Sequence, residues 1–247
     1  MKFLTLCAIS FLTVPALATE ITSPFYLPEM GHVISKTQGT YFKKKLTPAI
    51  RTYNRSLTES LTLGLGAGFA AQLTGDLNWT RQKQEETFDA PHTKDYEAGI
   101  KGQCQISGFL TQLTALYHQT TNTNFYPRRL ISTNIRLGKE LKTMTPYLNL
   151  LGNFPLNARP DFNNPLYRSE VGIFQSINDK MTLDTALYLQ YDKNEKGKSY
   201  GIQGEYSYLA TPWLAFGLNG SWQARGHAKG GAKTYQKSMG IKTTLSF

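Results

Sequence analysis

Cysteine is nearly absent from this chain: only Cys7 and Cys104 carry thiols among 247 residues. Cys7 sits in an apolar N-terminal stretch that reads as a removable leader. The remainder therefore has one thiol and no intramolecular disulfide, and no CxxC or Cys/His cluster suggests a metal site or other cofactor. Long apolar runs are missing too. Beyond the leader nothing approaches the roughly 20 residues that a membrane helix needs. The longest candidate, Leu61 to Leu73, is interrupted by Thr62, Gly64, Gly66, Gly68 and Gln72. Acids are scarce beside bases, 17 against 27, for a formal net charge of +10. The bases are scattered rather than clustered, which argues against nucleic-acid binding.

The leader has the three parts of a secretory signal. Lys2 supplies the positive end, Phe3 to Leu17 the apolar stretch, and Ala16-Leu17-Ala18 a small-x-small cleavage site. Cleavage after Ala18 leaves a chain running from Thr19 to Phe247. Residues 19–30, with Pro24 and Pro28, look unlike a spanning strand and are expected to form a periplasmic extension or a strap across a barrel mouth. Residues 31–247 are expected to form one domain.

What the chain does contain is period-2 alternation. Tyr235, Met239, Ile241, Leu245 and Phe247 share one parity, against Gln236, Ser238, Gly240, Lys242, Thr244 and Ser246. Leu214, Phe216, Leu218 and Trp222 alternate with Ala215, Gly217, Asn219 and Ser221, and Met181 to Tyr191 repeats the pattern. Similar segments recur back to a weak first one around Val33 to Phe42, whose two faces are not assignable. Twelve strands result. Each shows an apolar side chain only at every second residue, which reconciles a membrane protein with a mean hydropathy of −0.36.

The connections alternate in length. Short ones centre on Leu65 to Gly68, Ser107-Gly108, Glu140 to Thr143, Asn178 to Lys180 and Ala210 to Pro212. Longer ones cover roughly Lys83 to Tyr96, Thr120 to Arg128, Phe154 to Pro165, Asp192 to Lys198 and Gly226 to Thr234. Short periplasmic turns and longer outer loops are the asymmetry of a transmembrane barrel, and an even strand number puts both ends in the periplasm. The expected fold is all-β, a transmembrane up-and-down antiparallel β-barrel of about twelve strands. Its last residues, Gly240-Ile241 and then Leu245-x-Phe247, resemble the sorting signal of Gram-negative outer-membrane barrels. That resemblance implies insertion by the barrel-assembly machinery into the bacterial outer membrane. Arg55 and Glu59 sit awkwardly on the lipid-facing parity of the second strand. Either they lie near the interfaces or a bulge shifts the register.

The inward parity carries both signs: Lys101, Arg136, Arg168 and Lys242 against Asp76, Glu170, Asp184 and Glu205. Facing acids and bases either set up a transverse field in an open pore or pair to fill a sealed polar core. In architecture the chain resembles the small monomeric twelve-stranded porins, which implies passive diffusion of small hydrophilic, charged solutes. A sealed structural or surface-interaction barrel is the alternative. The outer loops are modest in length and give such a barrel little surface for a large binding platform. Bases at the outer rim (Lys43, Lys44, Lys45, Arg81, Lys83, Arg128, Arg129, Arg159, Lys196, Lys198, Arg225, Lys229, Lys233) suit lipid and lipopolysaccharide phosphates, diluted by Asp89, Asp95, Asp161, Asp192 and Glu195. A lipid hydrolase needs Ser, His and an orienting group at one height. Of His32, His92, His118 and His227, only His118 falls on a strand near the outer rim. No nucleophile motif accompanies it, so the chain reads as a non-enzyme.

Overall fold

Alternating burial along each strand follows the alternation in the sequence. In Leu166–Asn178 the pattern runs buried at Glu170, Gly172 and Phe174 and exposed at Val171, Ile173 and Gln175. With polar and small residues on much of the buried parity and apolar ones on the exposed parity, the strands close on themselves and turn the apolar face outward. The computed structural model describes residues 21–45, 51–82, 93–122, 125–156, 165–193, 197–226 and 234–247. The leader lies outside the described residues, as do Lys83, His92, Arg159, Lys196, His227, Lys229 and Lys233, and Asp89, Asp161 and Glu195. The strands are β1 (Val33–Lys45), β2 (Arg51–Gly66), β3 (Phe69–Gln82), β4 (Thr93–Ile106), β5 (Phe109–Asn122) and β6 (Phe125–Gly138), then β7 (Met144–Pro155), β8 (Leu166–Asn178), β9 (Met181–Asp192), β10 (Gly197–Thr211), β11 (Leu214–Gly226) and β12 (Thr234–Ser246). Each pairs antiparallel with its sequence neighbours, and β1 pairs with β12 to close the barrel.

The pairing fixes the barrel's dimensions. A row of partners runs from Gln82 through Thr52, Lys44, Gln236, Gln223, Gly201, Tyr188, Glu170, Asn149, Arg136 and Gln112 to Gln103. The Gln103 amide donates to the carbonyl of Gly68, which leads directly into β3. One circuit that leaves from Gln82 therefore returns at Gly68. For twelve strands that stagger sets a tilt of about 39° and a backbone diameter of about 24 Å.

Two of the short turns owe their tightness to left-handed backbone. Ala67-Gly68 and Ser107-Gly108 have φ of 51° and 75°, and 51° and 79°, the type I′ geometry that matches strand twist. At the opposite end the sequence overestimates one loop. β5 runs to Asn122 and β6 starts at Phe125, so that connection spans only 123–124. The strands keep pairing above the apolar band, where polarity alone suggests a loop. Arg128 and Arg129 belong to β6 and Asp95 to β4 for the same reason, and Lys43, Lys44, Lys45, Arg81, Lys198 and Arg225 lie in strands.

The outer surface is a band of exposed Leu, Ile, Val and Met. Trp222, Tyr200, Tyr167 and Phe154 ring it at the long-loop end, and Trp213, Phe247, Phe109 and Tyr208 at the short-turn end. The stagger places these girdles about 25 Å apart, the height of an outer-membrane apolar belt. No bulge rescues Arg55 or Glu59. β2 pairs continuously with β1, and with β3 up to an irregularity at Gly64/Gly66. Both residues are exposed on the outward parity. Arg55 reaches the outer girdle, opposite Tyr41 and Trp79, whereas Glu59 lies about 10 Å deeper, within the apolar band.

Candidate functional site in the barrel lumen

The segment before β1 turns into the barrel. Met30 bridges to Gly64, and a Cβ at Gly64 would collide with the Glu29 and Pro28 carbonyl oxygens. Phe25, with no exposed surface, packs in a cluster with Leu110, Tyr147, Phe174 and Ala186, all on inward positions. Its ring meets Tyr147 edge-on at 6.3 Å and lies 5.7 Å from the Arg136 guanidinium. Arg136 also donates to the Pro24 carbonyl. Gly138 leaves the space that the Phe25 ring fills. A strap of residues 21–28 thus occupies the short-turn half of the lumen, with Glu29 and Met30 exposed where it joins β1, and apolar wall residues are buried there by the strap rather than by lipid.

Above the strap the eight inward charges separate into layers. With the stagger shared among twelve strands, a level plane slips about 1.2 residues per strand against the pairing rows. Corrected for that slip, Lys36, Lys101, Arg136, Asp184, Glu205 and Lys242 fall within about 4 Å of one height. Lys36 accordingly interacts electrostatically with Lys242, Lys101, Arg136 and Glu205, and Asp184 with Arg136, Glu205 and Lys242. Bases come mainly from β12, β1, β4 and β6, and acids from β9 and β10, so the layer is polarised across the lumen. Lys242 pairs with Glu205, which also accepts from Ser207 at 3.1 Å. Tyr147 donates to Asp184 at 2.8 Å. Among the described residues, Lys36 and Lys101 form no ion pair.

A second layer lies about 10 Å nearer the long-loop mouth, with its polarity reversed. Asp76 accepts from Thr58 at 2.7 Å and from Asn78 at 2.9 Å, and Asn78 also reaches Asp95 at 3.3 Å. His118 stands 3.6 Å from Glu97 and 3.9 Å from Asp95. On the opposite wall Arg168 binds Glu170 at 2.5 Å and Gln203 at 2.6 Å, with its guanidinium 3.9 Å from the Tyr188 ring centroid. Glu170 accepts a further bond from Asn149 at 2.8 Å. Between the layers a recess of about 270 Å³ is lined by Gln38, Thr40, Phe42, Gln203, Asn219 and Ser221, over Asp184 and Glu205.

All eight inward charges named from sequence lie on the lumenal parity, but only Lys101, Arg136, Asp184, Glu205 and Lys242 share one level. Asp76, Arg168 and Glu170 belong higher. Sequence reasoning misses Lys36, because β1 offers Ser35, Thr37 and Gly39 outward and so no apolar parity. It also leaves Asp95 with the loops and Glu97 unassigned, although 95, 97, 99 and 101 share a parity. His118 is held between these carboxylates and contacts the Thr120 hydroxyl at 3.2 Å. Gly240, Ile241 and Leu245 lie in β12 against β1, and the Phe247 amide donates to Val33 at 2.8 Å.

No protein-family model and no curated protein matches the sequence. Solved structures match the fold. The COG4313 outer-membrane channel of Pseudomonas putida F1 aligns with a TM-score of 0.69 at 10% identity, over 95% of this chain and all of that one. The NanC porin aligns with a TM-score of 0.58 at 12% identity, over 84% of this chain and 98% of its own. The β-domain of the Bordetella autotransporter BrkA reaches 0.52 at 10% identity, over 88% and 100%. The chain is a closed twelve-stranded β-barrel of the architecture shared by outer-membrane channels and porins.

Proposed function

We propose that the protein is a porin-like channel of the bacterial outer membrane that passes small hydrophilic solutes carrying charge. The observation that supports this reading best is the recess of about 270 Å³ above the lower charged layer, room for several water molecules. The amides of Gln38, Gln203 and Asn219 and the hydroxyls of Thr40, Ser221 and Ser238 on its wall offer hydrogen bonds in place of a solute's hydration. Opposed acids and bases at one height orient a dipolar solute as it passes. The pore-lining set is Asp76, Lys101, Arg136, Arg168, Glu170, Asp184, Glu205 and Lys242, extended by Lys36, Asp95 and Glu97. In this reading residues 1–18 are the cleaved leader. Gly240, Ile241, Leu245 and Phe247 form the insertion signal read by the assembly machinery.

Single-channel recording of purified protein in planar bilayers tests the proposal. A stable conductance is expected, with the Asp184→Asn/Glu205→Gln variant moving the reversal potential toward anions. A folded barrel that stays electrically silent even with the strap deleted would refute it. That result would favour a sealed barrel, a reading supported by the apolar cluster around Phe25.

A further inference from the structure

Three cations on the outside of the barrel stand where a membrane protein meets lipid head groups. Lys237 of β12 pairs directly with Lys43 of β1, and Arg55 of β2 sits diagonally below Lys43, opposite Tyr41. All three are exposed on the outward parity, within about 3 Å of one height and about 10 Å of one another across the strands. That height is the outer aromatic girdle. Lys43 lies over the Tyr53 ring at 5.9 Å, and Tyr53 stacks with Tyr41 at 6.2 Å. The flanking Trp222 stacks with Tyr235 at 6.3 Å.

Below the cations the wall is hollow. A groove of about 930 Å³ runs between Tyr41, Arg55 and Trp79 on one side and Leu218, Met239 and Ile241 on the other. Gly39 forms its floor; a Cβ there would meet only Ile241 Cγ1, at 4.0 Å. The groove is apolar, open to the lipid, and capped by positive charge at head-group depth. Phosphate suits that cap: a guanidinium grips it with paired donors and ammonium groups add point charge. Acyl chains suit the groove. Three cations over three strands exceed what one phosphate needs.

We propose that this face binds one molecule of a diphosphorylated, multiply acylated glycolipid of the outer leaflet. Its phosphates rest on Lys43, Arg55 and Lys237, and one acyl chain lies in the Gly39 groove. The site faces away from the lumen, so it stands or falls separately from conduction.

Native mass spectrometry in a mild detergent, with bis-phosphorylated lipid A, phosphatidylglycerol or inorganic phosphate added as probe, tests the site. One lipid A per barrel is expected, held about tenfold more weakly by the Lys43→Gln/Arg55→Gln/Lys237→Gln variant. The groove-filling Gly39→Leu variant is expected to lose affinity as well. Heat-shifted mobility on gels and a β-rich circular dichroism spectrum matching the parent report that both variants are folded. Retention of lipid A by the triple variant within a factor of two would overturn the proposal. So would equal affinity for phosphatidylglycerol, or displacement of lipid A by inorganic phosphate at matching concentration.

Discussion

Replacing Phe25 by alanine is the sharpest way to ask what the strap does. Phe25 is fully buried and holds the strap through its ring, while Arg136 holds the Pro24 carbonyl. Burying a phenylalanine removes about 150–250 Å² from water, and truncating one in a sealed core costs about 3–5 kcal/mol. The ring borders the Arg136 guanidinium as well as apolar side chains, and side chains around it can partly refill the vacated space, so the cavity contribution lies at the low end. The lower figure, about 3 kcal/mol, applies. At about 1.4 kcal/mol per decade, the ratio of docked to undocked strap falls about 150-fold. Recordings at steady voltage should show longer and larger openings in Phe25→Ala than in the parent. Amide exchange over residues 21–30 should rise in parallel. Faster exchange with unchanged conductance and dwell times would refute the idea that the strap limits the pore. No change in either would show that Phe25 does not anchor it.

Other substitutions probe single features. Glu205→Gln leaves Lys242 without its paired charge, so the reversal potential should move toward anions with the barrel still folded; an unmoved potential would take Glu205 out of the permeation path. Glu59→Leu removes a carboxyl from the apolar band and should stabilise the barrel by on the order of 1 kcal/mol in urea unfolding from lipid vesicles. A loss of stability there would mean that Glu59 has a partner in the membrane. Gly172→Ala puts a Cβ into the Tyr147 ring. It should lower stability by about 1–3 kcal/mol and loosen the Tyr147–Asp184 bond, seen as a lower thermal midpoint; an unchanged midpoint would show that Tyr147 swings away freely.

The parts legible in the sequence are those where two periodic signals coincide. From β7 to β12, apolar residues on one parity and short turns, marked by Asn178 and Pro212 in two of them, fix each strand to within a few residues. β12 is the clearest, with Met239, Ile241 and Leu245 outward. Legibility fails where one signal is missing. β1 has no apolar face, so Lys36 could not be turned inward by pattern. Asp95 and Glu97 flank Tyr96 where β4 has already left the apolar band, and polarity there mimics a loop. Phe25 stands in an aperiodic segment between prolines, and only the three-dimensional gap beside Gly138 shows where it goes. The levels of the lumenal charges are invisible in any single strand, because they depend on stagger accumulated around the whole circuit.

The seam between β1 and β12 has a consequence for how the chain is made. Ile34 meets Ser246 and Lys45 meets Tyr235, partners drawn from opposite ends of the sequence. No other pair among the described strands joins segments so distant, and contacts of that span form late because loop entropy must be overcome first. Until then β1 and β12 each present a row of unsatisfied backbone donors and acceptors, which hydrocarbon does not tolerate. The strap is tethered directly to β1, so it travels with one lip of that gap. The segment that carries Phe25 is thus joined covalently to a strand of the closing seam, while the residues that receive its ring lie across the lumen on β5 to β9.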